Sequence, residues 1–428
     1  MNFKDTFCSS PWLHIRLTSS GEYNFCRWKR SKTEDKSYNI NDISPAEYFQ
    51  IGMDDVRSDM LNGNPIDECQ WCYNMEKYKK ISGRQKQLLK TGIVLDDFEK
   101  TTLASPYYSQ FQKSANNEKI TVLPVDWQID LGNYCNGACV FCTPRYSSKI
   151  SSEFIKLGMI DETPPKAWSQ NPVLVDKFID TLVKTKNIKY LHFIGGETVI
   201  TPAFKKILKE LIKYGLTTAS IGFTTNLTVW DDEVNELLAQ FEQVNLGMSI
   251  EALHPINDYA RYPSKIGHVR EILDRWVALG KKNNWLMQLR TTPTWMTIEY
   301  LDTIFEYAIV NNIGVESCNF LSDPRFMRMN LLPVDLRQLA IDKLATWIEQ
   351  NKEYINPLVQ VNTRNPSIVR ETVMEDALSY LNYLKEAELQ PELLPELVSY
   401  LKQIESSRNN SILNYIPHYE EFLRSGGY

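Results

Sequence analysis

Val125-Asp126-Trp127-Gln128-Ile129-Asp130-Leu131 runs through Gly132 into Asn133-Tyr134-Cys135-Asn136-Gly137-Ala138-Cys139-Val140-Phe141-Cys142. The opening stretch alternates partly between apolar and polar residues and predicts a β-strand. Three cysteines follow it directly, spaced x3 and then x2. Cysteine thiolates are the usual ligands of iron–sulfur clusters. Three thiolates on a four-iron cluster leave one iron open for chemistry. Gly137 and Ala138 are small enough for the backbone to wrap closely around such a group. The plainer readings are a loop with chance cysteines or part of a zinc site. Structural zinc sites, however, take four ligands and favour C-x2-C pairs.

Past this loop, strand and helix signals alternate. Strands are predicted over 188–194, 220–225, 244–250, 285–291 and 314–321, and helices over 173–184, 203–214, 232–241, 267–279 and 298–310. Thr201-Pro202 reads as an N-cap and N1 pair. Six β-α steps of this kind predict an α/β fold, with a parallel sheet curved into a partial (β/α)6 barrel and functional groups at the C-terminal strand ends. From about 333 the chain reads as helical, over 336–351, 369–385, 393–406 and a short last segment. Residues 1–120 read as irregular, with candidate helices at 45–62 and 84–95, and are not expected to fold well without metal. The expected division is a metal-binding module over 1–120, the barrel over 121–325 and a helical region over 326–428.

The chain has 428 residues, 43% hydrophobic and 23% charged, with 47 basic and 53 acidic residues and a net charge of −6. That balance gives no sign of a nucleic-acid partner. The start, Met1-Asn2-Phe3-Lys4-Asp5-Thr6, has no signal-peptide core. No run approaches the roughly 18 apolar residues of a membrane span. A cytoplasmic protein is expected. Seven of the eight cysteines lie in the first third of the chain. In a reducing compartment such clustering points to metal rather than disulfides.

The C-x3-C-x2-C loop, with Phe141 before its last cysteine, resembles the signature of the radical S-adenosylmethionine (SAM) superfamily. Further motifs agree in order along the strand ends. Gly195-Gly196-Glu197 is similar to the family motif that contacts the SAM amino group. Thr224-Thr225-Asn226 is similar to a step beside SAM. Ser249-Ile250-Glu251 is similar to a ribose-contacting motif, although Glu251 stands where many relatives carry Asp-Gly. Asp258-x2-Arg261 resembles an element whose arginine reaches the SAM carboxylate. The resemblance implies a 4Fe–4S cluster on Cys135, Cys139 and Cys142. It implies SAM contacts from Gly195, Gly196, Glu197, Thr225, Asn226, Ser249, Glu251 and Arg261.

Cys8, Cys26, Cys69 and Cys72 form a second set, in which Cys69-Gln70-Trp71-Cys72 has the spacing of a metal knuckle. Four thiolates would close either a zinc or a cluster site, and spacing does not separate the two. Phe7-Cys8-x2-Pro11-Trp12, Gly21-x4-Cys26, Cys69-x2-Cys72-x3-Glu76 and Ser82-x-Arg84 resemble an N-terminal twitch module of the SPASM/twitch subgroup. The tail Arg408-Asn409-Asn410-Ser411-Ile412-Leu413-x2-Ile416-Pro417 resembles that of the same proteins. This resemblance implies an auxiliary 4Fe–4S cluster on the four cysteines.

The implied activity is reductive cleavage of SAM to a 5′-deoxyadenosyl radical that takes hydrogen from a substrate. An oxidation or cross-link on a ribosomally made peptide or protein is the leading expectation, with an electron donor such as flavodoxin or ferredoxin. Dehydrogenation of a small molecule such as a sugar or aminocyclitol is the alternative, and a non-enzymatic zinc or cluster scaffold is a third. No catalytic acid or base is assigned. Tyr134, Arg145, Arg290 and Cys318 fall near predicted strand ends by position alone. Cys318 and His192 read as core residues, as do Trp12, Trp28 and Trp71. His14 and His254 show no partner in the sequence. The basic and aromatic run over 26–32 reads as a solvated loop, with contact to an anionic substrate as the other possibility.

Overall fold

One sheet of eight strands organises the chain, seen in a computed structural model that describes residues 4–27, 38–77, 82–316, 320–321, 323–353 and 373–428. The strands are β1 (His14–Leu17), β2 (Tyr23–Asn24), β3 (Asp126–Asp130), β4 (Tyr190–Ile194), β5 (Ser220–Thr225), β6 (Gln243–Ser249), β7 (Leu286–Arg290) and β8 (Gly314–Glu316). Their order is β2-β1-β3-β4-β5-β6-β7-β8. Strands β3 to β8 are mutually parallel, so the expected α/β partial barrel is present and unclosed.

The sheet extends beyond the six expected strands. β1 pairs parallel with β3, setting His14 opposite Asp126 and Leu17 opposite Ile129. β2 folds back antiparallel on β1. The N-terminal segment thus adds two strands to the barrel sheet.

Alternation along each strand separates two faces. Trp127, Phe193 and Phe223 point to one side. Their rings meet Phe178, Phe204 and Trp276 at centroid distances of 5.7, 5.0 and 5.8 Å. Those partners lie on the helices Pro172–Thr185, Pro202–Lys213 and Ile266–Lys282. Each helix opens or buries as its sequence demands. Asn171 caps the first, its side chain accepting from the Val173 N–H ahead of Pro172. The expected Thr201 cap differs: its hydroxyl donates to the Glu197 carbonyl at 2.9 Å and makes no cap bond. The opposite, concave face carries Asp126, Gln128, His192 and Arg290.

The described residues between 4 and 120 hold more helix than their sequence suggests. Pro45–Ile51 and Asp54–Asn62 are two helices broken at Gly52 and Met53, and Gln70–Lys77, Gly83–Lys90, Phe98–Ala104 and Tyr108–Ala115 follow. Phe7, Trp12 and Phe111 pack with ring centroids 5.2–5.3 Å apart, an aromatic core of the kind that supplies large apolar burial. Trp71 departs from expectation: it is 63% exposed. The C-terminal helices are Val334–Gln350, Val373–Glu386, Leu394–Arg408 and Glu420–Ser425. Trp28, Cys318 and the rest of the 28–32 run lie outside the described residues. Among the described residues no helix is long and apolar enough to cross a membrane.

Candidate active site

The cysteine loop leaves the end of β3 and is tied down from four directions. The Ala138 N–H donates to the Tyr262 carbonyl at 2.6 Å, and the Val140 N–H to the Ala260 carbonyl at 2.9 Å. The Ser147 hydroxyl donates to the Gly137 carbonyl at 2.6 Å while capping the helix Ser148–Lys156. The Tyr400 hydroxyl, from the helix Leu394–Arg408, donates to the Val140 carbonyl at 2.7 Å. Buried loop carbonyls and amides need such partners. The tail motif acts here too. Arg408 grips Glu153 with two hydrogen bonds of 2.9 and 2.6 Å and lies 4.7 Å from the Tyr262 ring centre.

Two glycines of β4's terminal turn are required by backbone contact. Gly195 has φ +96° and Gly196 φ +41°. A Cβ on Gly195 would sit 2.4 Å from Asp130 Oδ1, and one on Gly196 would sit 2.2 Å from the Tyr134 carbonyl oxygen. Glycine alone allows both the positive φ and the approach. The turn is then sealed to the cysteine loop by the Glu197 N–H, which donates to the Tyr134 carbonyl at 2.9 Å.

Glu197 is buried, and burial raises its carboxyl to about 7 against the N–H groups of Asn226 and Val199 that donate to it. Those bonds measure 2.5 and 3.2 Å. Asn226 joins the turn to the cysteines. Its Nδ2 donates to Asn136 Oδ1 at 2.8 Å and lies 3.9 Å from Cys135 Sγ. Thr225 is buried, its hydroxyl accepting from the Leu227 N–H at 3.3 Å. Asn136, Ser147 and Tyr400 were not singled out by sequence. Only Ser147 carried a signal, as a serine ahead of a helix.

The three thiols face one another. Burial lifts Cys135 to about 11 and raises Cys142 and Cys139; Cys135 and Cys139 add to the shift at Cys142. Arg261 and Arg408 oppose the shift at Cys139. A Cβ on Gly137 would lie 3.7 Å from Cys135 Sγ and 3.8 Å from Cys139 Sγ. Beside them is a cavity of about 250 Å³ lined by Gly137, Cys139, Asn226, Arg261, Lys265 and His268, among others. Half-buried cysteines with nearby cations, one of them on the cavity, suit a cluster that binds thiolates.

Glu251 and Arg261 form an ion pair. Glu251 is wholly buried, and its Oε1 accepts from Arg261 Nε and Nη2 at 3.0 and 2.6 Å. Its Oε2 accepts from the Thr291 hydroxyl at 3.1 Å and the Thr292 N–H at 2.7 Å. Both oxygens are in use, so the carboxylate orients Arg261. Arg261 alone of the pair lines the cavity. Ser249, at the end of β6, is half-buried opposite Arg290.

In the second cysteine set, Cys26, Cys69 and Cys72 each act on the Cys8 thiol. The Cys8 thiol is raised by burial and by the proximity of Cys26, Cys69 and Cys72. Burial lifts Cys69 to about 12, with Cys26 and Cys72 adding to it. The Glu76, Ser82 and Arg84 side chains act as scaffolding. Glu76 pairs with Arg84 and accepts from Ser82 at 2.5 Å, and Arg84 donates to the Lys4 and Phe7 carbonyls at 2.9 Å. That links the knuckle helix to the Cys8 loop. Backbone N–H groups of Gly83 and Arg84 reach Cys72. Among the described residues, no three His, Cys, Asp or Glu side chains converge on a single metal ion.

Two other histidines find partners. His14 Nδ1 lies 3.4 Å from Asp126 Oδ1, and His254 stacks on Tyr300 at 3.9 Å. Neither they nor Tyr134, which is 49% exposed, meet the cavity.

Residues 129–289, the span from β3 to β7, match the family model described as Radical SAM superfamily. That match covers the central strands and less than half of the chain. All three loop cysteines, Gly195-Gly196-Glu197, Asn226, Glu251 and Arg261 fall inside it. The family implies a 4Fe–4S cluster and SAM. Among solved structures, the chain resembles Streptococcus suis SuiB bound to precursor peptide SuiA, with 15% identity, a TM-score of 0.38 and coverage of 68% of this chain and 61% of that one. It also resembles native anSMEcpe with bound AdoMet, with 13% identity, a TM-score of 0.37 and coverage of 53% and 61%. The chain therefore spans less than two thirds of the length of SuiB in that alignment. No curated protein matches it.

Proposed function

We propose that the protein is a radical SAM enzyme that oxidises or cross-links a ribosomally made peptide or a protein, with an auxiliary cluster on Cys8, Cys26, Cys69 and Cys72. A reduced 4Fe–4S cluster with SAM supplies, when bound, a 5′-deoxyadenosyl radical that removes hydrogen from an unactivated carbon. The protein's share is binding, orientation and exclusion of water. Cys135, Cys139 and Cys142 would hold that cluster through their thiolates. Arg261, fixed by Glu251, presents a guanidinium to a carboxylate. Glu197, on the turn that Gly195 and Gly196 let pack against the cysteine loop, offers a buried carboxyl to an ammonium. Asn226 couples that subsite to Cys135. The four N-terminal thiols form a closed set, suited to passing an electron rather than to open coordination, which favours net oxidation of the substrate.

The observation carrying this reading is a cavity beside the cysteine loop lined by Cys139, Asn226 and Arg261, with Asn226 reaching Cys135 and the Glu197 N–H tying the Gly195-Gly196-Glu197 turn to the loop. The test replaces Cys135, Cys139 and Cys142 together with alanine. Anaerobically reconstituted wild type should form 5′-deoxyadenosine from SAM with a strong reductant, and the triple variant should form none. Full cleavage by the triple variant would overturn the assignment.

A further inference from the structure

The concave face of the sheet carries more polar chemistry than holding SAM explains. Two glycines in central strands make room on it. A Cβ on Gly222 of β5 would lie 2.4 Å from Tyr190 Oη and 2.7 Å from His192 Nδ1. One on Gly247 of β6 would lie 2.6 Å from Arg290 Nε. Interior strand glycines mark places where something approaches closely. Here Tyr190 and His192 lean over β5 from β4. Arg290 leans over β6 from β7, and its Nη1 donates to Thr224 Oγ1 of β5 at 2.7 Å. The three side chains meet on one floor, on the strands that end in the SAM-site motifs.

That floor is electropositive. Asp126, at its far edge, is shared by Lys90 at 2.7 Å and Arg27 at 3.7 Å, so two cations stand on one carboxylate. Arg290 pairs with Glu316 at 2.5 Å, yet the two keep 22% and 26% of their side chains exposed. At His192, burial together with Arg290, Arg27 and Lys90 outweighs Asp126 and keeps the imidazole neutral. A positive floor that is partly open at Arg290 suits an anion.

We propose that this floor recognises a carboxylate of the substrate, with Arg290 and His192 as its contacts. An acidic residue within a peptide and a sugar acid share this chemistry. The inference rests on the radical SAM reading for its location and names the substrate class of that site.

The test measures equilibrium binding to the anaerobically reconstituted full chain by calorimetry. The probes are acetyl-Ala-Glu-Ala-amide against acetyl-Ala-Gln-Ala-amide, and glucuronate against glucose. The carboxylate member of at least one pair should bind about tenfold tighter, and which pair does so separates the peptide from the sugar-acid source. Arg290→Met, shown to be folded by circular dichroism, should abolish the preference, and Gly247→Ala, which pushes Arg290 aside, should weaken it. Equal binding of charged and neutral probes by wild type overturns the proposal even if neither variant folds. So does a preference that survives Arg290→Met. Loss of 5′-deoxyadenosine formation in wild type would instead sink the reading of the cysteine loop, and leaves the binding comparison intact.

Discussion

Gly196→Ala isolates the contact between the β4 turn and the cysteine loop. The new Cβ would lie 2.2 Å from the Tyr134 carbonyl oxygen and 2.8 Å from its carbon, both backbone atoms. Restoring ordinary contact moves the two segments apart by about 1.2 Å, since carbon atoms and their neighbours settle near 3.4–4.0 Å. The φ of +41° adds strain of about 1–2 kcal/mol for any residue but glycine. Tyr134 immediately precedes Cys135, and Glu197 follows Gly196, so the displacement falls on both sides of the proposed SAM subsite. A misplacement of about 1 Å costs on the order of 100-fold in rate. Gly158→Ala is the control. Gly158 has φ +66° and open space where its Cβ would go, so it carries the strain without the clash. Both variants should lose about 1–2 kcal/mol of stability in denaturant melts, Gly196→Ala somewhat more. In a 5′-deoxyadenosine assay, Gly158→Ala should match wild type and Gly196→Ala should fall about 100-fold. Cleavage by Gly196→Ala within a few-fold of wild type would refute the claim that this contact sets the site's geometry.

Other consequences are as direct. Glu251→Gln leaves Arg261 buried without its counter-charge; SAM affinity measured by calorimetry should drop at least tenfold, and stability should fall by about 3 kcal/mol or more. Glu76→Gln removes the charge holding Arg84 to the knuckle helix; iron content after reconstitution should fall from about eight per chain towards four. Glu299 is buried, but hydrogen bonds from Lys343 and His418, each 2.7 Å long, overcome that burial and hold its carboxyl below the usual range. Its stabilisation is therefore full above the ordinary carboxylate value of about 4.3 and is lost as pH falls through the lower folded value. Melting curves for Glu299→Gln should lie below wild type at neutral pH and converge with it in acid.

Periodicity made the barrel legible because each of its steps is local. The strand expected over 220–225 is Ser220–Thr225, and the helix expected over 203–214 is Pro202–Lys213. The cysteine loop and the Gly195-Gly196-Glu197 turn were readable for the same reason: short motifs at strand ends, in order. What sequence hid depends on distant partners. β1 belongs to the barrel sheet only because His14 meets Asp126, more than a hundred residues on. Glu251 has a ligand-like position in the sequence, yet Arg261, Thr291 and Thr292 consume both its oxygens. Trp71 carries a core-like residue type, but the knuckle helix turns it outward.

The central claim is that Cys135, Cys139 and Cys142 hold a cluster with one iron open to SAM. Electron paramagnetic resonance tests it most directly, on reduced Cys8→Ala/Cys26→Ala/Cys69→Ala/Cys72→Ala protein before and after SAM addition. The account predicts a 4Fe–4S signal whose g values shift when SAM binds. A cluster signal that SAM leaves unchanged, in folded and iron-loaded protein, would contradict it.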